Sequence, residues 1–334
     1  MQYLSSFDPQ NMRVLARLDL DLPSDHGKFD TSRMEDSFET LGYLWKNKAK
    51  HVTVIAHRGH DVKKTKTFSL EPIAKLLYKK LIETKAFKKT TEKEVKEWLD
   101  VLENLRFDPR EEAGDLKFAK ELAKDHDLFV NDAFATAHRS HTSIVFIPKV
   151  LPTVFGLQFE KEMVVMKKLT ESPKRPFMFV LGGAKLETKL PLLEKIVDHV
   201  DVVLLGGKLI AEANKQGYKN RKMIIGKLTE DGLDITQAAA EQFSRFIIEA
   251  KTLVWNGPMG KFEDPAHEAG TKFVAEAIAH ANGYKVIGGG DTEAAVAHFH
   301  LNEEKMFNHV SSGGGALLHY LAYKTLPALD AVKD

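Results

Sequence analysis

Short apolar runs recur along the chain, and each is followed by a polar or glycine-rich loop and then by a helical pattern. In the first half these runs are RVLARLDL, HVTVIAH, WLDVLENLRF and DLFVND, and in the second half they are PFMFVLGG, DVVLLGG, TLVWNG, KVIGGG and HVSSGGG. The segments between them, such as SLEPIAKLLYKKLIE, place apolar residues at helical spacing. This alternation predicts an α/β fold with parallel sheets flanked by helices.

One segment between the two halves breaks the alternation. LPTVFGLQFEKEMVVMKKLTESPKRP has proline at both ends, a helical pattern and no strand signal. A chain of 334 residues is long enough to bury two cores. We therefore expect two domains with the boundary near residues 155–172, inside this connecting helix.

The composition restricts the partners of the protein. With 48 basic and 47 acidic side chains, the formal charge is only +1, so no global field attracts nucleic acid or an anionic membrane. There is no cysteine, which excludes disulfides and thiolate metal sites, and no window approaches the roughly 18 apolar residues of a membrane span. We expect a cytoplasmic protein without nucleic-acid or membrane partners.

In the first half, charged residues follow the predicted strands, where parallel α/β sheets bind their ligands. These residues are Arg17, Asp19 and Asp21; His57, Arg58 and His60; Arg106; and Asp132, His138, Arg139 and His141. Guanidinium groups bind phosphate and carboxylate through paired hydrogen bonds, so Arg33, Arg106 and Arg139 beside histidines suit a small polyanion. Any one of these arginines, taken alone, is more typical of a solvated or paired surface residue.

The histidines also allow a metal interpretation. HRGH at 57–60 and HRSH at 138–141 both have the H-x-x-H spacing, and four imidazoles could bind zinc. H-E-x-x-H is absent, however, and each histidine pair encloses an arginine that would repel a cation. The anion interpretation is therefore favoured.

In the second half, glycine takes the place of charge after the strands. The clusters are Gly182–Gly183, Gly206–Gly207, Gly257 with Gly260, Gly288 to Gly290, and Gly313 to Gly315. Glycine lets the backbone approach a ligand closely, and the amides of a following helix point at anions. A single cluster would be an ordinary turn, but five predict a receptor for a nucleotide and its phosphates. Neither G-x-x-x-x-G-K-[ST] nor G-x-G-x-x-G is present.

Polar residues beside these loops complete the predicted phosphate site. Lys185 and Lys189 in GGAKLETK could follow a phosphoryl group, and Asp291 in GGGDT suits a magnesium ion that holds phosphates. Thr292 adds a hydroxyl. Asp291 and Thr292 are equally consistent with a helix N-cap.

The order of these motifs resembles the phosphoglycerate kinase family over nearly the whole chain. ARLDLDLP is similar to V-R-V-D-F-N-V-P of that family, ENLRFDPREEAGD to E-N-L-R-F-x-x-x-E-E, and NDAFATAHRSHTS to N-D-A-F-G-T-A-H-R-A-H-A-S. LGGAKLETK, TLVWNGPMGKFE, IGGGDTEAAV and SSGGGALLHYL also match in family order. The resemblance implies reversible phosphoryl transfer between 1,3-bisphosphoglycerate and ADP, giving 3-phosphoglycerate and ATP in glycolysis.

The resemblance also implies two Rossmann-like domains joined by a hinge helix, in a protein that we expect to be a monomer. The expected limits are 1–155 for the 3-phosphoglycerate domain, 156–172 for the connecting helix, 173–318 for the nucleotide domain and 319–334 for a tail returning to the first domain. The two domains would close to bring donor and acceptor oxygens into line and to exclude water.

The site residues implied by the resemblance fall into three sets. The 3-phosphoglycerate positions are Asp19, Asp21, Arg33, His57, His60, Arg106 and Arg139. The positions for Mg²⁺ with ATP or ADP are Gly183, Lys185, Lys189, Gly207, Asn256, Glu263, Gly290, Asp291 and Thr292, with Asp291 as the metal ligand and Glu263 at the ribose. We expect Arg33, Lys185 and the amides of Gly313 to Gly315, above all Gly313 and Gly314, to stabilise the transferring phosphoryl group.

The chain departs from the family pattern in four places, of which Asp21, His60 and a deletion favour an alternative: a family member with impaired catalysis or altered specificity that acts as a binding protein. Asp21 replaces an asparagine and adds a carboxylate to an anion site. His60 replaces an arginine, which Arg58 could compensate. Lys208 replaces a third glycine near the expected adenine pocket, and several dozen residues are absent between LLGGKLIAEANKQGY and KTLVWNG.

Overall fold

The computed structural model describes residues 1–25, 28–59, 65–183, 186–301 and 303–332. The chain forms two compact units, one of residues 1–163 with 325–334 and one of residues 164–324. The division falls inside the helix Leu157–Glu171. The predicted domain limits, which assign a ligand to each part, stay a prediction.

The first unit is built on a parallel five-stranded sheet. The strands of the whole unit are β1 (Arg13–Arg17), β2 (Ser24–Asp25), β3 (Lys28–Phe29), β4 (His51–Ile55), β5 (Leu99–Val101), β6 (Leu128–Asn131) and β7 (Thr153–Phe155). The helices of the unit are α1 (Ser32–Asp36), α2 (Phe38–Lys46), α3 (Glu71–Glu83), α4 (Glu92–Trp98), α5 (Pro109–Ala113), α6 (Leu116–Ala123) and the first part of α7 (Leu157–Glu171). The sheet order is β5-β4-β1-β6-β7, and β2 and β3 form a small antiparallel hairpin. The parallel sheet is therefore confirmed.

The second unit contains a parallel six-stranded sheet. Its elements are α8 (Leu186–Ile196), β8 (Phe177–Leu181), β9 (Val202–Leu205), α9 (Leu209–Lys215), β10 (Met223–Ile225), α10 (Gln237–Ile247), β11 (Thr252–Asn256), α11 (Ala269–His280), β12 (Tyr284–Gly288), α12 (Gly290–His298), α13 (Glu303–Met306), β13 (His309–Ser311) and α14 (Gly314–Tyr323). The sheet order is β10-β9-β8-β11-β12-β13. The last helix, α15 (Pro327–Asp330), belongs to the first unit, where Ala328 N–H donates to the Ala137 carbonyl at 3.1 Å.

Continuous apolar runs become strands covered on both faces, as is usual in parallel sheets. Strands β6, β8 and β11 are buried along their whole length. In the first unit, helices α2 and α3 contribute Leu41 and Leu77 to the core on one face of the sheet. In the second unit, α10 and α11 contribute Phe243 and Val274. These cores fix the strands, so the loops at the carboxyl ends of the strands are held in place.

The hairpin strands β2 and β3 and two strands of the parallel sheets were not predicted from the sequence. The segment before the connecting helix was expected to contain no strand, but β7 pairs with β6 in parallel, with Val154 opposite Val130. Strand β10 also pairs in parallel with β9, with Ile224 opposite Leu204. Strands β7 and β10 have three residues each, which is too short for a periodic pattern to identify, and the neighbouring strand supplies the partner that makes the extended conformation stable.

The N-terminus of α7 is held by two polar side chains. Asp132 Oδ1 accepts the Phe159 amide at 3.0 Å, and Thr40 Oγ1 accepts the Leu157 amide at 2.8 Å. These bonds satisfy amides that a helix cannot satisfy internally. Burial raises the pKa of Asp132 to about 7, although hydrogen bonds from Thr40 and Phe159 oppose the rise.

Within the described part of the chain, no helix combines the length and the apolar character that crossing a membrane requires.

Candidate active site

The first unit contains a cavity of about 110 Å³ at the carboxyl ends of its strands. It is lined by Arg17, Leu18, Asp19, Asp21, Arg33, His57, Arg106, Ala135, Thr136 and Arg139. The structure therefore brings together all of the predicted 3-phosphoglycerate residues that it describes. His60 lies outside the described residues. We call this cavity the arginine pocket.

Arg139 is the cation of the pocket with the fewest protein partners. Its side chain is partly buried, and Nε is buried without a hydrogen-bond partner among the described residues. Burial lowers the pKa of Arg139, and the positive charge of Arg106 lowers it further. A guanidinium that is partly desolvated beside another cation is well suited to bind an anion.

Arg106 and Asp21 hold the backbone of Gly59 from both sides. Arg106 Nη1 donates to the Gly59 carbonyl, and the Gly59 amide donates to Asp21 Oδ1 at 2.8 Å. Arg106 Nε also pairs with Glu112 at 2.8 Å. The additional carboxylate at Asp21 thus has a structural partner, which distinguishes it from an isolated negative charge in the pocket.

Arg33 and Asp19 both contact the backbone of Asp21. Arg33 Nη1 makes a long contact of 3.4 Å with the Asp21 carbonyl, so its guanidinium is only weakly tied to the protein. Asp19 Oδ1 accepts the Asp21 amide at 3.3 Å. Burial raises the pKa of Asp19, while the charge of Arg33 acts in the opposite direction.

Behind the pocket lies a closed ring of buried hydrogen bonds that the sequence did not reveal. Arg17 Nη2 donates to His57 Nδ1 at 3.2 Å, and His57 Nε2 donates to Glu111 Oε1 at 2.6 Å. Ser143 Oγ donates to the same oxygen at 2.6 Å and accepts from Arg17 Nε at 2.8 Å. Arg17 also donates to Thr136 Oγ1 at 2.5 Å. We call Arg17, His57, Glu111 and Ser143 the buried ring.

The charges within the buried ring determine its protonation. Burial and the positive charge of Arg17 lower the pKa of His57 to about 3, so its imidazole is neutral. Burial would raise the pKa of Glu111, but hydrogen bonding to His57 and the charge of Arg17 outweigh burial and lower it. Burial lowers the pKa of Arg17 to about 10, which leaves it charged at neutral pH. The ring therefore contains one cation and one anion.

His57 belongs both to the wall of the arginine pocket and to the buried ring. Because both ring nitrogens bond to Arg17 and Glu111, the side chain is committed to the protein and holds Arg17 at the pocket wall. His57, Glu111 and His141 also bring possible metal ligand atoms within 4.8 Å of one another. Arg17 bonds directly to His57, so a neighbouring positive charge opposes a cation there.

Arg58 does not join the arginine pocket. Its Nη1 donates to the Ser69 carbonyl at 2.6 Å, and its guanidinium lies 5.1 Å from the centre of the Phe29 ring. Successive residues after β4 point in different directions, as alternation along an extended chain predicts. Arg58 is therefore not among the residues that line the arginine pocket, and its compensation for the arginine lost at His60 stays a prediction.

In the second unit, the predicted glycine loops converge at the carboxyl ends of the strands. A Cβ atom on Gly182 would lie 2.1 Å from the Pro258 carbonyl oxygen, and one on Gly207 would lie 2.8 Å from the Gly183 nitrogen. A Cβ atom on Gly314 would lie 2.7 Å from the Gly289 Cα. These backbone approaches leave no room for side chains. We call the five clusters together the glycine loops.

Asn256 and Thr292 connect the glycine loops. Asn256 Nδ2 donates to the Gly288 carbonyl at 2.5 Å, and its Oδ1 accepts from Lys189 Nζ at 3.2 Å. Thr292 Oγ1 accepts the Gly257 amide at 2.7 Å and donates to the Gly288 carbonyl at 3.1 Å. Thr292 is fully buried, so its hydroxyl links β11 to β12.

The other predicted nucleotide residues lie around these loops. Gly290 and Asp291 form the first turn of α12, Gly313 and Gly314 begin α14, and Glu263 and Lys208 are exposed. Lys185 lies outside the described residues. The Asp291 carboxylate is exposed and makes no hydrogen bond with the described protein, which fits a ligand for Mg²⁺ that keeps waters and phosphates as its other ligands.

Comparison with known proteins identifies a family. The family model for phosphoglycerate kinase matches residues 4–221 and 209–324. Phosphoglycerate kinase of Dictyoglomus turgidum is 35% identical over 388 residues, which cover 98% of this chain and 97% of the relative. Phosphoglycerate kinase of Finegoldia magna is 33% identical over 393 residues, which cover 99% and 98%.

Two solved structures of phosphoglycerate kinases also match this chain over nearly its whole length. Phosphoglycerate kinase from Coxiella burnetii is 28% identical, with a TM-score of 0.80 over 99% of this chain and 98% of that chain. The enzyme from Pyrococcus horikoshii is 27% identical, with a TM-score of 0.81 over 100% and 98%.

The absent segment is visible in the same comparisons. The alignment with the Dictyoglomus relative spans 388 positions, although this chain has 334 residues, so the relative contains segments that this chain lacks. The family match comes in two pieces that overlap at residues 209–221, close to the predicted deletion. Because the family model matches most of the chain and relatives of 35% and 33% identity cover nearly all of it, this chain belongs to the phosphoglycerate kinase family.

Proposed function

We propose that this protein transfers a phosphoryl group reversibly between the carboxyl oxygen of 1,3-bisphosphoglycerate and ADP, giving 3-phosphoglycerate and ATP, in the cytoplasm. The observation that carries the assignment of its substrate site is the convergence of Arg33, Arg106 and Arg139 on one cavity. Three guanidinium groups suit the phosphate and carboxylate of 3-phosphoglycerate. Arg139, whose Nε has no hydrogen-bond partner among the described residues, is our candidate for direct contact with the phosphate.

The glycine loops are the proposed nucleotide site. Backbone amides at the starts of α12 and α14 can donate to phosphate oxygens, and Lys189 brings a cation next to Gly182, whose carbonyl it contacts at 2.9 Å. Asp291 would hold Mg²⁺, which neutralises phosphate charge when bound. By family resemblance, Lys185 and Glu263 would contact the phosphates and the ribose, and Lys208 would lie beside the adenine.

In the transfer step, an oxygen of the ADP β-phosphate attacks the phosphorus at C1 of 1,3-bisphosphoglycerate, and the carboxylate of 3-phosphoglycerate leaves. The reaction needs no covalent intermediate on the enzyme. The protein has to bring the attacking oxygen, the phosphorus and the leaving oxygen into line and to neutralise their charge. The weakly tied Arg33 and the amides of Gly313 and Gly314 are the groups that we assign to the transferring phosphoryl group. No observation on the described residues favours the alternative of an impaired binding protein.

A coupled turnover assay with two arginine variants tests the substrate site. In Arg139→Gln we expect the KM for 3-phosphoglycerate to rise about 30- to 100-fold, because charged hydrogen bonds contribute roughly 2–3 kcal/mol, while the KM for ATP is unchanged. Arg58→Gln is the matched control, since this guanidinium lies outside the pocket, and it should behave as wild type. An unchanged KM in Arg139→Gln would place the substrate elsewhere.

Arg33→Ala separates substrate binding from transfer. If Arg33 stabilises the moving phosphoryl group, kcat should fall about 100-fold, or roughly 3 kcal/mol, with a smaller change in the KM for 3-phosphoglycerate. A loss confined to KM would make Arg33 a binding residue only. Wild-type protein that binds 3-phosphoglycerate and Mg-ADP in calorimetry but shows no turnover would instead establish the binding-protein alternative.

A further inference from the structure

A second cavity lies in the second unit, at the opposite edge of the sheet from the glycine loops. Its volume is about 520 Å³, and its walls come from the residues just before or at the start of β8, β11, β12 and β13. Strands of five residues separate the two edges by roughly 16 Å. The cavity is therefore separate from the proposed nucleotide site.

Three lysines line this cavity, one from each of three elements. Lys168 comes from α7, Lys174 from the loop before β8, and Lys251 from the residue before β11. No aspartate or glutamate is among the lining residues, and none of the three lysines forms an ion pair with the part of the chain that the structure describes. We call this cavity the lysine pocket.

The lack of an ion pair with the described residues distinguishes these lysines from others in the protein. Lys75 pairs with Glu71 at 2.7 Å and Lys96 with Glu92 at 2.6 Å, each four residues away on a helix. An anion bound in this cavity would face three lysines and no carboxylate among the lining residues, so the charges of the lining would attract it. The lysine pocket therefore has the charge of an anion site.

The backbone around the lysine pocket is fixed by hydrogen bonds. Thr252 Oγ1 donates to the Lys174 carbonyl at 2.8 Å, and the Tyr284 amide donates to the Lys251 carbonyl at 2.9 Å. Lys168 Nζ lies 3.4 Å from the centre of the Tyr284 ring, which holds this ammonium by a cation–π contact. The positions from which the lysines extend are thus set by the fold.

We propose that the lysine pocket binds a small molecule with two or more phosphate charges, at a site distinct from both substrates of the kinase. A volume of about 520 Å³ falls in the range of small-molecule pockets, roughly 300–1,000 Å³, and exceeds the space that one phosphate fills. Asn308 supports this assignment. Its Oδ1 accepts the Lys285 amide at 2.7 Å, so its Nδ2 remains a donor at the wall of the cavity.

Inorganic pyrophosphate is the probe for the test, observed through backbone amide resonances in isotope-labelled full-length protein. We expect saturable shifts at Gly283, Tyr284 and Asn308. The shifts should need at least 10-fold more pyrophosphate in the triple variant Lys168→Met, Lys174→Gln and Lys251→Gln. A second triple variant, Lys215→Gln, Lys227→Gln and Lys272→Gln, removes three exposed lysines elsewhere in the same unit and should titrate as wild type.

Three results would overturn the proposal. They are shifts that grow linearly without saturation, equal affinity in the lysine-pocket variant, and the same shifts with sodium chloride at matched ionic strength. Pyrophosphate binding at the glycine loops would appear separately at Gly183 and Gly289. Failure of the lysine pocket and failure of the proposed nucleotide site therefore give different spectra.

Discussion

The arginine pocket and the glycine loops occupy equivalent places in their units, at the carboxyl ends of parallel strands, but they are built from different parts of the chain. The arginine pocket presents side-chain cations, whereas the glycine loops present backbone. A side-chain site needs neighbours that hold long, charged groups in place. A backbone site needs neighbours that are small enough to let loops touch.

The two sites should therefore fail in different ways. Behind the arginine pocket, the buried ring couples the position of Arg17 to Glu111 through His57 and Ser143. In the glycine loops, Gly182, Gly207 and Gly314 meet other backbone atoms directly. Loss of a charge should damage the first site, and addition of a methyl group should damage the second.

The largest effect is expected in the buried ring. Arg17→Met leaves the Glu111 carboxylate without its cation in a buried site, so the free energy of unfolding should fall by about 4 kcal/mol. Urea unfolding measures this loss. The double variant Arg17→Met with Glu111→Gln removes both charges and should recover part of it.

Arg110→Met is the control for that loss, because Arg110 pairs with Asp108 and Glu121 near the surface. The free energy of unfolding should fall much less in Arg110→Met than in Arg17→Met, because ion pairs near the surface contribute little to stability. Equal losses in Arg17→Met and Arg110→Met would show that the buried ring does not support the first unit.

Gly207→Ala tests the backbone site against a matched glycine. Gly207 has φ +62° and would place a Cβ 2.8 Å from the Gly183 nitrogen, whereas Gly217 has φ +63° and nothing within 4 Å. Both substitutions carry the cost of left-handed backbone, so the difference between them reports the close approach alone. We expect Gly207→Ala to destabilise the protein by about 2 kcal/mol more than Gly217→Ala in urea unfolding.

Binding of Mg-ADP by the same two glycine variants is a second test. Gly207→Ala should weaken binding of Mg-ADP in calorimetry, whereas Gly217→Ala should leave it unchanged. If the two variants were equally stable and bound Mg-ADP equally well, the close approach of Gly207 to Gly183 would have no role.

The smallest effect concerns pH. His57, with its pKa lowered to about 3, binds a proton more readily unfolded than folded, so its contribution to stability falls as pH drops below about 6.5. Asp132, with its pKa raised to about 7, binds a proton more readily folded, so its contribution falls as pH rises from about 4 to 7. Between about pH 4 and about pH 6.5, the contribution of His57 to stability therefore rises with pH, while that of Asp132 falls.

Asp132→Asn removes one of the two opposing contributions and keeps an oxygen to accept the Phe159 amide. From pH 5.0 to 6.5, the free energy of unfolding of this variant should rise by up to about 2 kcal/mol more than that of wild type. Urea unfolding of both proteins at the two pH values gives this difference. Identical pH dependence would mean that Asp132 ionises as an ordinary carboxyl group.

The sequence predicted what depends on local pattern. Apolar runs located most strands, and charge or glycine after each run located the arginine pocket and the glycine loops. It did not reveal the buried ring, because Arg17, Glu111 and Ser143 are far apart along the chain and meet only after packing. Nor did the sequence show that the Asp21 carboxylate would accept the Gly59 amide. Nearly every residue has such an amide, and only the fold decides which carboxylate lies beside it.

Strand β10 lies at one edge of the six-stranded sheet. An unpaired strand edge can recruit another chain, and short length and positive charge are the usual protections against such aggregation. Strand β10 has only three residues, and the exposed Lys219 and Arg221 precede it. Two such edges would repel each other before their backbones could pair, so the short strand and its positive charges protect this edge against pairing with a second copy of the chain.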